Sequence, residues 1–251
     1  MIEIKGLKKT FGDLQVLRGV NLTIPKESIT FIMGGSGTGK SVLLKHLVGL
    51  LKSDEGEIWF DGQDLTKLSE REWQRVRKKI GMLFQEGALF DSMTVAENVA
   101  FPLIEHSAGT MREIQKRVEE LLEAVELLPA KDKYPSELSG GMKKRASLAR
   151  TLALNPQVIL FDEPTTGLDP ILQITIMDLI KRIKETYKLT CVVVSHDVIL
   201  ALKYAQKIAF LHEGTIIEEG SPEEVKHSSH PFVRRFIDSA LLLEKKEVFY
   251  E

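Results

Sequence analysis

Eight consecutive residues, Gly34-Gly35-Ser36-Gly37-Thr38-Gly39-Lys40-Ser41, match the phosphate-loop pattern G-x-x-x-x-G-K-[ST] at every position. Glycines let a backbone curl until successive N–H groups point inward at phosphate oxygens. A helix starting where the loop ends adds partial positive charge. Lys40 supplies a full charge for the β- and γ-phosphates, and the Ser41 hydroxyl is placed to ligate Mg²⁺. The context fits as well: an apolar run, Ile29-Thr30-Phe31-Ile32-Met33, leads in, and the helical run Val42-Leu43-Leu44 follows, with Val42 closing the cradle. A ligand-free Gly-rich turn is the alternative for glycines alone, and motif and context together argue against it. A second chemical signal closes the run Val158-Ile159-Leu160-Phe161, namely Asp162 and Glu163. Two acids at a strand end read, by themselves, as a solvated terminus. Beside a phosphate loop, Asp162 can hold the Mg²⁺ shell. Glu163 can then reach a water in line with the γ-phosphate and act as general base.

These groups need a scaffold. Short, continuous apolar runs at residues 29–33, 158–161, 191–194 and 208–211 read as buried parallel strands, and the helical stretches between them make an α/β sheet. Near the N-terminus, Ile2 and Ile4, then Val16, Leu17, Val20, Leu22 and Ile24, alternate like half-buried strands. Ile58-Trp59-Phe60 enters a tight turn at Asp61-Gly62, completing a small antiparallel sheet. Between about 91 and 155 no buried strand run occurs. Ile114, Val118, Leu121, Leu122 and Val125 recur at helix spacing behind a Thr110/Glu113 capping box, so this stretch reads as an inserted helical lobe. Met142-Lys143-Lys144-Arg145 reads as a helix start, and so does Ser221-Pro222-Glu223-Glu224, with proline at its first position. Phe232, Val233, Phe236, Ile237, Ala240 and Leu241 give the tail an amphipathic face, with Glu247-Val248-Phe249-Tyr250 beyond it.

Composition narrows the classes. Lys plus Arg is 34 and Asp plus Glu 36, a net charge of -2, which does not suggest a nucleic-acid partner. One cysteine, Cys191, sits in an apolar run and permits no intrachain disulfide, so a reducing cytoplasmic compartment is expected. The N-terminus lacks a signal-peptide pattern, and no run of ~18 apolar residues spans a bilayer. Any membrane role must come through a partner.

At these residues the chain resembles the nucleotide-binding subunits of ABC transporters, over nearly its whole length. Leu138-Ser139-Gly140-Gly141-Met142 looks like the family's signature motif, a second helix start suited to an anion. The resemblance implies a head-to-tail dimer in which Ser139, Gly140 and Gly141 of one copy meet the γ-phosphate held by the other. Gln85 resembles the glutamine that senses Mg²⁺ and links to the permease. Residues 166–170, with Asp169, resemble the loop joining the two sites, and His196 the switch histidine at the γ-phosphate. Phe11 stands where the family carries an aromatic residue that stacks on adenine; the alternative for it is a packed strand residue. The implied fold is an α/β P-loop NTPase (RecA-like) core with an N-terminal antiparallel β subdomain and an inserted α-helical subdomain. The domain would occupy 1–230, with an amphipathic extension at 231–251. Implied cofactors are ATP and Mg²⁺.

Within the family the resemblance is nearest to ATPases of Mla-type transporters, which serve permeases linked to MCE proteins. Met142 in place of the usual glutamine carries it, with the runs at residues 83–90 and 98–103. This implies phospholipid or related lipid transport through a separate permease, on the cytoplasmic face of the inner membrane. The lobe near Phe90 and Met93 would press on a cytoplasmic helix of that permease. The tail either packs on its own domain or reaches the other copy or a small STAS-domain partner. Two alternatives are a methionine-type amino-acid importer, which usually has Gln at the Met142 position and a further regulatory domain, and an ABC protein acting on ribosomes or DNA. The latter usually carries two motors or long coiled coils, of which the sequence shows neither.

Overall fold

The structure, a computed structural model, describes residues 1–85 and 87–247, with side chains through Leu242. It divides into two compact units, Met1–Trp73 together with Thr190–Glu251, and Gln74–Leu189. Residues Glu86 and 248–251, within the runs singled out above, lie outside the described residues.

The first unit holds the small antiparallel sheet. Strand β1 (Ile2–Phe11) pairs with β2 (Leu14–Ile24) on one side and β4 (Glu55–Phe60) on the other, and β5 (Gln63–Asp64) adds the edge. Ile2 faces Ile24 and Phe60 across the ladder, and Ile4 faces Leu22 and Ile58. All six are buried, so the period-2 pattern sends one face inward. Asp61 and Gly62 both take positive φ (48° and 84°), which a two-residue hairpin of matching twist requires. The same unit contains β3 (Ile29–Met33), flanked in parallel by β8 (Thr190–Ser195) and β9 (Lys207–His212), with β10 (Thr215–Gly220) antiparallel to β9. β3 and β8 are buried along their whole length, which is why they read as unbroken apolar runs. Helix α1 (Lys40–Leu47) follows β3, and α7 (Val198–Tyr204), α8 (Pro222–Lys226) and α9 (Pro231–Glu247) follow the later strands. Ser221 and Glu224 form a reciprocal capping box at α8, with Pro222 at its first position.

Helix α2 (Glu70–Arg77) leads into the second unit, where β6 (Ile80–Leu83) runs parallel to β7 (Val158–Asp162). Between them come α3 (Val95–Glu105), α4 (Met111–Ala124) and α5 (Gly140–Leu152), with no strand between 91 and 155 among the described residues; α6 (Pro170–Tyr187) follows β7. Thr94/Glu97 and Thr110/Glu113 form complete capping boxes on α3 and α4. Ile114, Val118, Leu121 and Leu122 are buried on one face of α4. The signature helix starts at Gly140 rather than Met142, because Ser139 is the cap and its hydroxyl accepts from the Met142 N–H at 3.3 Å. Glu126 ties α4 to α5 and α6: Arg145 reaches its carboxylate at 2.7 Å and Arg182 at 2.6 Å, and these hydrogen bonds hold it below the ordinary carboxylate range.

Asn98, fully buried in α3, fixes the loop before its own helix. It accepts from the Phe90 N–H at 2.8 Å and donates to the carbonyls of Phe90, Met93 and Thr94 at 3.0–3.1 Å. Asn98→Ala removes the side-chain partner of the Phe90 N–H and of the Met93 carbonyl, while the Phe90 and Thr94 carbonyls keep backbone donors at 3.1 and 2.9 Å. We expect a loss of at least about 2 kcal/mol, or roughly 4–8 °C in Tm, read by thermal unfolding of the full chain.

Candidate functional site

The phosphate loop lies wholly in the first unit. Gly34, Gly37 and Gly39 take positive φ (154°, 74° and 100°), so the curl depends on glycine at each. Gly39 is the N-cap of α1 and brings no side chain to its first amides. Lys40 is buried, and its ammonium donates to the carbonyls of Gly34 at 2.9 Å and Gly35 at 2.8 Å. The charge is therefore held inside the curl. Thr38 Oγ1 donates to the Gly35 carbonyl at 3.0 Å, closing the turn from its other side. Ser41 and Val42 are half-buried in the first turn of α1. Ser36, at the loop's tip, is exposed.

Two further residues of this unit bear on a nucleotide. Phe11 ends β1 with 44% of its surface exposed, so it is not a packed strand residue, and the Lys9 ammonium stands 5.4 Å from its ring centre. That ring has a face to offer to a base. His196 is exposed at the C-terminal end of β8, just before Asp197, whose carboxylate caps α7 by accepting from the Leu200 N–H at 2.9 Å.

The second unit carries the acids and the signature helix. Asp162 ends β7 and is half-buried. Glu163 follows at φ 51°, a left-handed conformation that is uncommon for a side-chain-bearing residue and clusters at functional sites. Its Oε2 accepts from the Thr166 hydroxyl at 2.9 Å, so the carboxylate is aimed rather than loose. Asp169 caps α6 by accepting from the Leu172 N–H at 2.9 Å, with Pro170 at the first helical position. A Cβ on Gly140 would meet Leu168 at 3.2 Å and one on Gly141 would meet Leu172 at 3.7 Å, so residues 166–172 pack against the start of α5.

The ABC transporter family pattern matches residues 17–166. The chain belongs to the ABC transporter ATP-binding family. Of the ABC proteins with assigned functions, the intermembrane phospholipid transport ATP-binding protein MlaF of Haemophilus influenzae is 47% identical over 237 residues, covering 94% of this chain and 90% of that one. The probable ribonucleotide transport ATP-binding protein mkl of Mycobacterium leprae is 42% identical over 94% of this chain and 68% of its own length. Among solved structures, the dimeric post-hydrolysis state of the ATP-binding cassette MJ0796, bound to ADP and Pi, superposes with a TM-score of 0.80 at 36% identity, covering 88% of this chain and 99% of that one. This ABC chain is accordingly an ATPase that uses ATP and Mg²⁺.

Sequence reading missed the anchorage of the Gln85 loop in this ABC cassette. Gln85 is exposed, and its carbonyl accepts from the Lys144 ammonium. Ser147 Oγ and Arg150 Nη2 both donate to the Gly87 carbonyl at 2.9 Å, while Arg150 Nη1 donates to that of Ala88 at 2.7 Å. Three polar residues three apart on α5 thus grip the loop from the signature helix. Their spacing was the available signal, but their acceptors are backbone carbonyls some 60 residues away, which no local pattern reports. Close by, α3 and α4 border a groove of about 810 Å³ lined by Met93, Ala96, Ala100, Phe101, Ile104 and Met111. No helix among the described residues is long and apolar enough to cross a membrane.

Proposed function

We propose that this ATPase drives phospholipid or related lipid transport through a separate permease. It would act as one of two copies on the cytoplasmic face of the inner membrane. The supporting observation is 47% identity, over nearly the whole of both chains, to a protein named for intermembrane phospholipid transport. The apolar groove between α3 and α4 offers a seat for a cytoplasmic helix of the permease, beside the gripped Gln85 loop. A STAS-domain protein and an MCE protein would complete the assembly, and the tail would either pack on its own domain, where Phe232 stacks on His212, or reach one of these partners or the other copy.

In this reading the loop amides of residues 34–41 and the Lys40 ammonium bind the β- and γ-phosphates, and Phe11 stacks on adenine. Ser41, Gln85 and Asp162 hold Mg²⁺, which neutralises charge on the phosphate oxygens. Ser139, Gly140 and Gly141 of the second copy present α5 to the terminal phosphate, and Asp169 lies in the loop between the two sites. Glu163 takes a proton from the attacking water, and His196 donates to the γ-phosphate.

Co-purification with the native permease, followed by mass spectrometry of bound small molecules, tests the cargo. Phospholipid enriched over the surrounding membrane is the expected result. A ribonucleotide or an amino acid in its place would overturn the lipid assignment.

A further inference from the structure

One hairpin backs both ends of the phosphate loop, one directly and the other through β2. A Cβ built on Gly34 would lie 2.3 Å from the Leu211 carbonyl oxygen, so the loop's first residue is pressed against the end of β9. At the loop's other end, a Cβ on Gly39 would meet Val16 and Leu17 of β2 at 3.0 Å. That stretch of β2 is in turn held by the β9–β10 turn. The Arg18 N–H donates to the Gly214 carbonyl at 2.8 Å, and a Cβ on Gly214 would sit 2.7 Å from the Val16 carbonyl. Glu213 and Gly214 both take positive φ (45° and 78°), making the turn tight and stiff.

The hairpin has its own clamp. His212, the residue after Leu211, stacks on Phe232 of α9 with ring centres 3.8 Å apart and planes 26° apart. Phe236, one turn further along α9, packs edge-on against Phe210 at 5.8 Å. Val233 and Ile237, each the residue after one of these phenylalanines, are buried. A rigid support transmits displacement because packed interiors do not deform smoothly.

We propose that His212 and Phe232 are positioning residues for the nucleotide. By clamping the hairpin, their stack sets the shape of the phosphate loop, so the C-terminal helix tunes ATP affinity in its own subunit. This rests on residues 34–41 being the phosphate cradle. Loosening the stack lets the Leu211 carbonyl shift, and Gly34 with it, so the loop amides meet the phosphates less well. Chemistry at the bound γ-phosphate is left as before.

The test is steady-state ATPase activity of the full-length protein with its permease, together with fluorescent-ATP titration of the full chain, on His212→Ala, Phe232→Ala and His212→Phe. Such an aromatic pair is worth a factor of about 2–10 in affinity. Each alanine variant is expected to raise KM and Kd for ATP by that factor with kcat within twofold, and His212→Phe to restore both by keeping a stacked ring. A purely structural role would instead lower Tm and kcat together through loss of active protein and leave KM alone. That outcome, or a His212→Phe variant no better than His212→Ala, overturns the proposal. Lys40→Ala, run alongside, separates the two layers. If it leaves affinity intact, the cradle reading has failed. If it weakens binding while the stack variants match the parent, the positioning role has failed.

Discussion

Glu163→Gln is expected to cut ATP turnover by roughly 10²–10⁴-fold, the usual worth of a positioned general base, while ATP stays bound. The substitution is nearly isosteric. A carboxamide oxygen can still accept from the Thr166 hydroxyl, which now lies 2.9 Å from Oε2, so the local backbone need not move from φ 51°. What is lost is basicity toward the attacking water. If two copies clamp the nucleotide as proposed, binding without hydrolysis should trap the closed pair, because the γ-phosphate between them would not be cleaved. Phosphate release measures the first effect, and size-exclusion chromatography in MgATP measures the second. Parental turnover in this variant would remove Glu163 from the base role, and a slow variant that stays monomeric in ATP would count against the two-copy clamp.

The second large effect is expected from Lys40→Ala. The buried ammonium donates to the Gly34 and Gly35 carbonyls, so its removal deletes a charge and also two contacts that shape the curl. A charge-assisted hydrogen bond is worth about 1.5–3 kcal/mol, which becomes roughly a 10- to 150-fold rise in Kd for ATP. Fluorescent-nucleotide titration reads this directly, and unchanged affinity would mean the triphosphate binds elsewhere.

The sequence was most readable where one short rule settles one local structure. Thr110 with Glu113, and Ser221 with Pro222 and Glu224, show their caps in a four-residue window, and both helices begin there. β3 and β8 are legible because burial on both faces leaves only apolar residues. β6 was harder: four residues long with Gly81 inside, it offers too little periodicity, and its identity depends on pairing with β7. β10, Thr-Ile-Ile-Glu-Glu-Gly, is a half-buried edge strand that pairs, among the described residues, with β9 alone, so its pattern is mixed. For the site the division is similar. Residues 34–41 announce themselves by spacing, whereas the grip of Lys144, Ser147 and Arg150 on Gln85, Gly87 and Ala88 exists only once two distant segments meet. Asn98 was visible as part of a run, but its four bonds to main chain at residues 90–94 are a product of folding.

Helix α1 begins at a glycine, so its cap residue brings no side chain to the opening amides. Solutes can take that place. Inorganic phosphate or sulfate, which fit a concave ring of N–H donors, would bind the native chain and not the unfolded one, adding about 2.7 kcal/mol at a hundredfold excess over their own dissociation constant. The buffer anion is therefore a silent component of this protein's thermal stability, and melting temperatures taken in sulfate and in chloride describe two different equilibria.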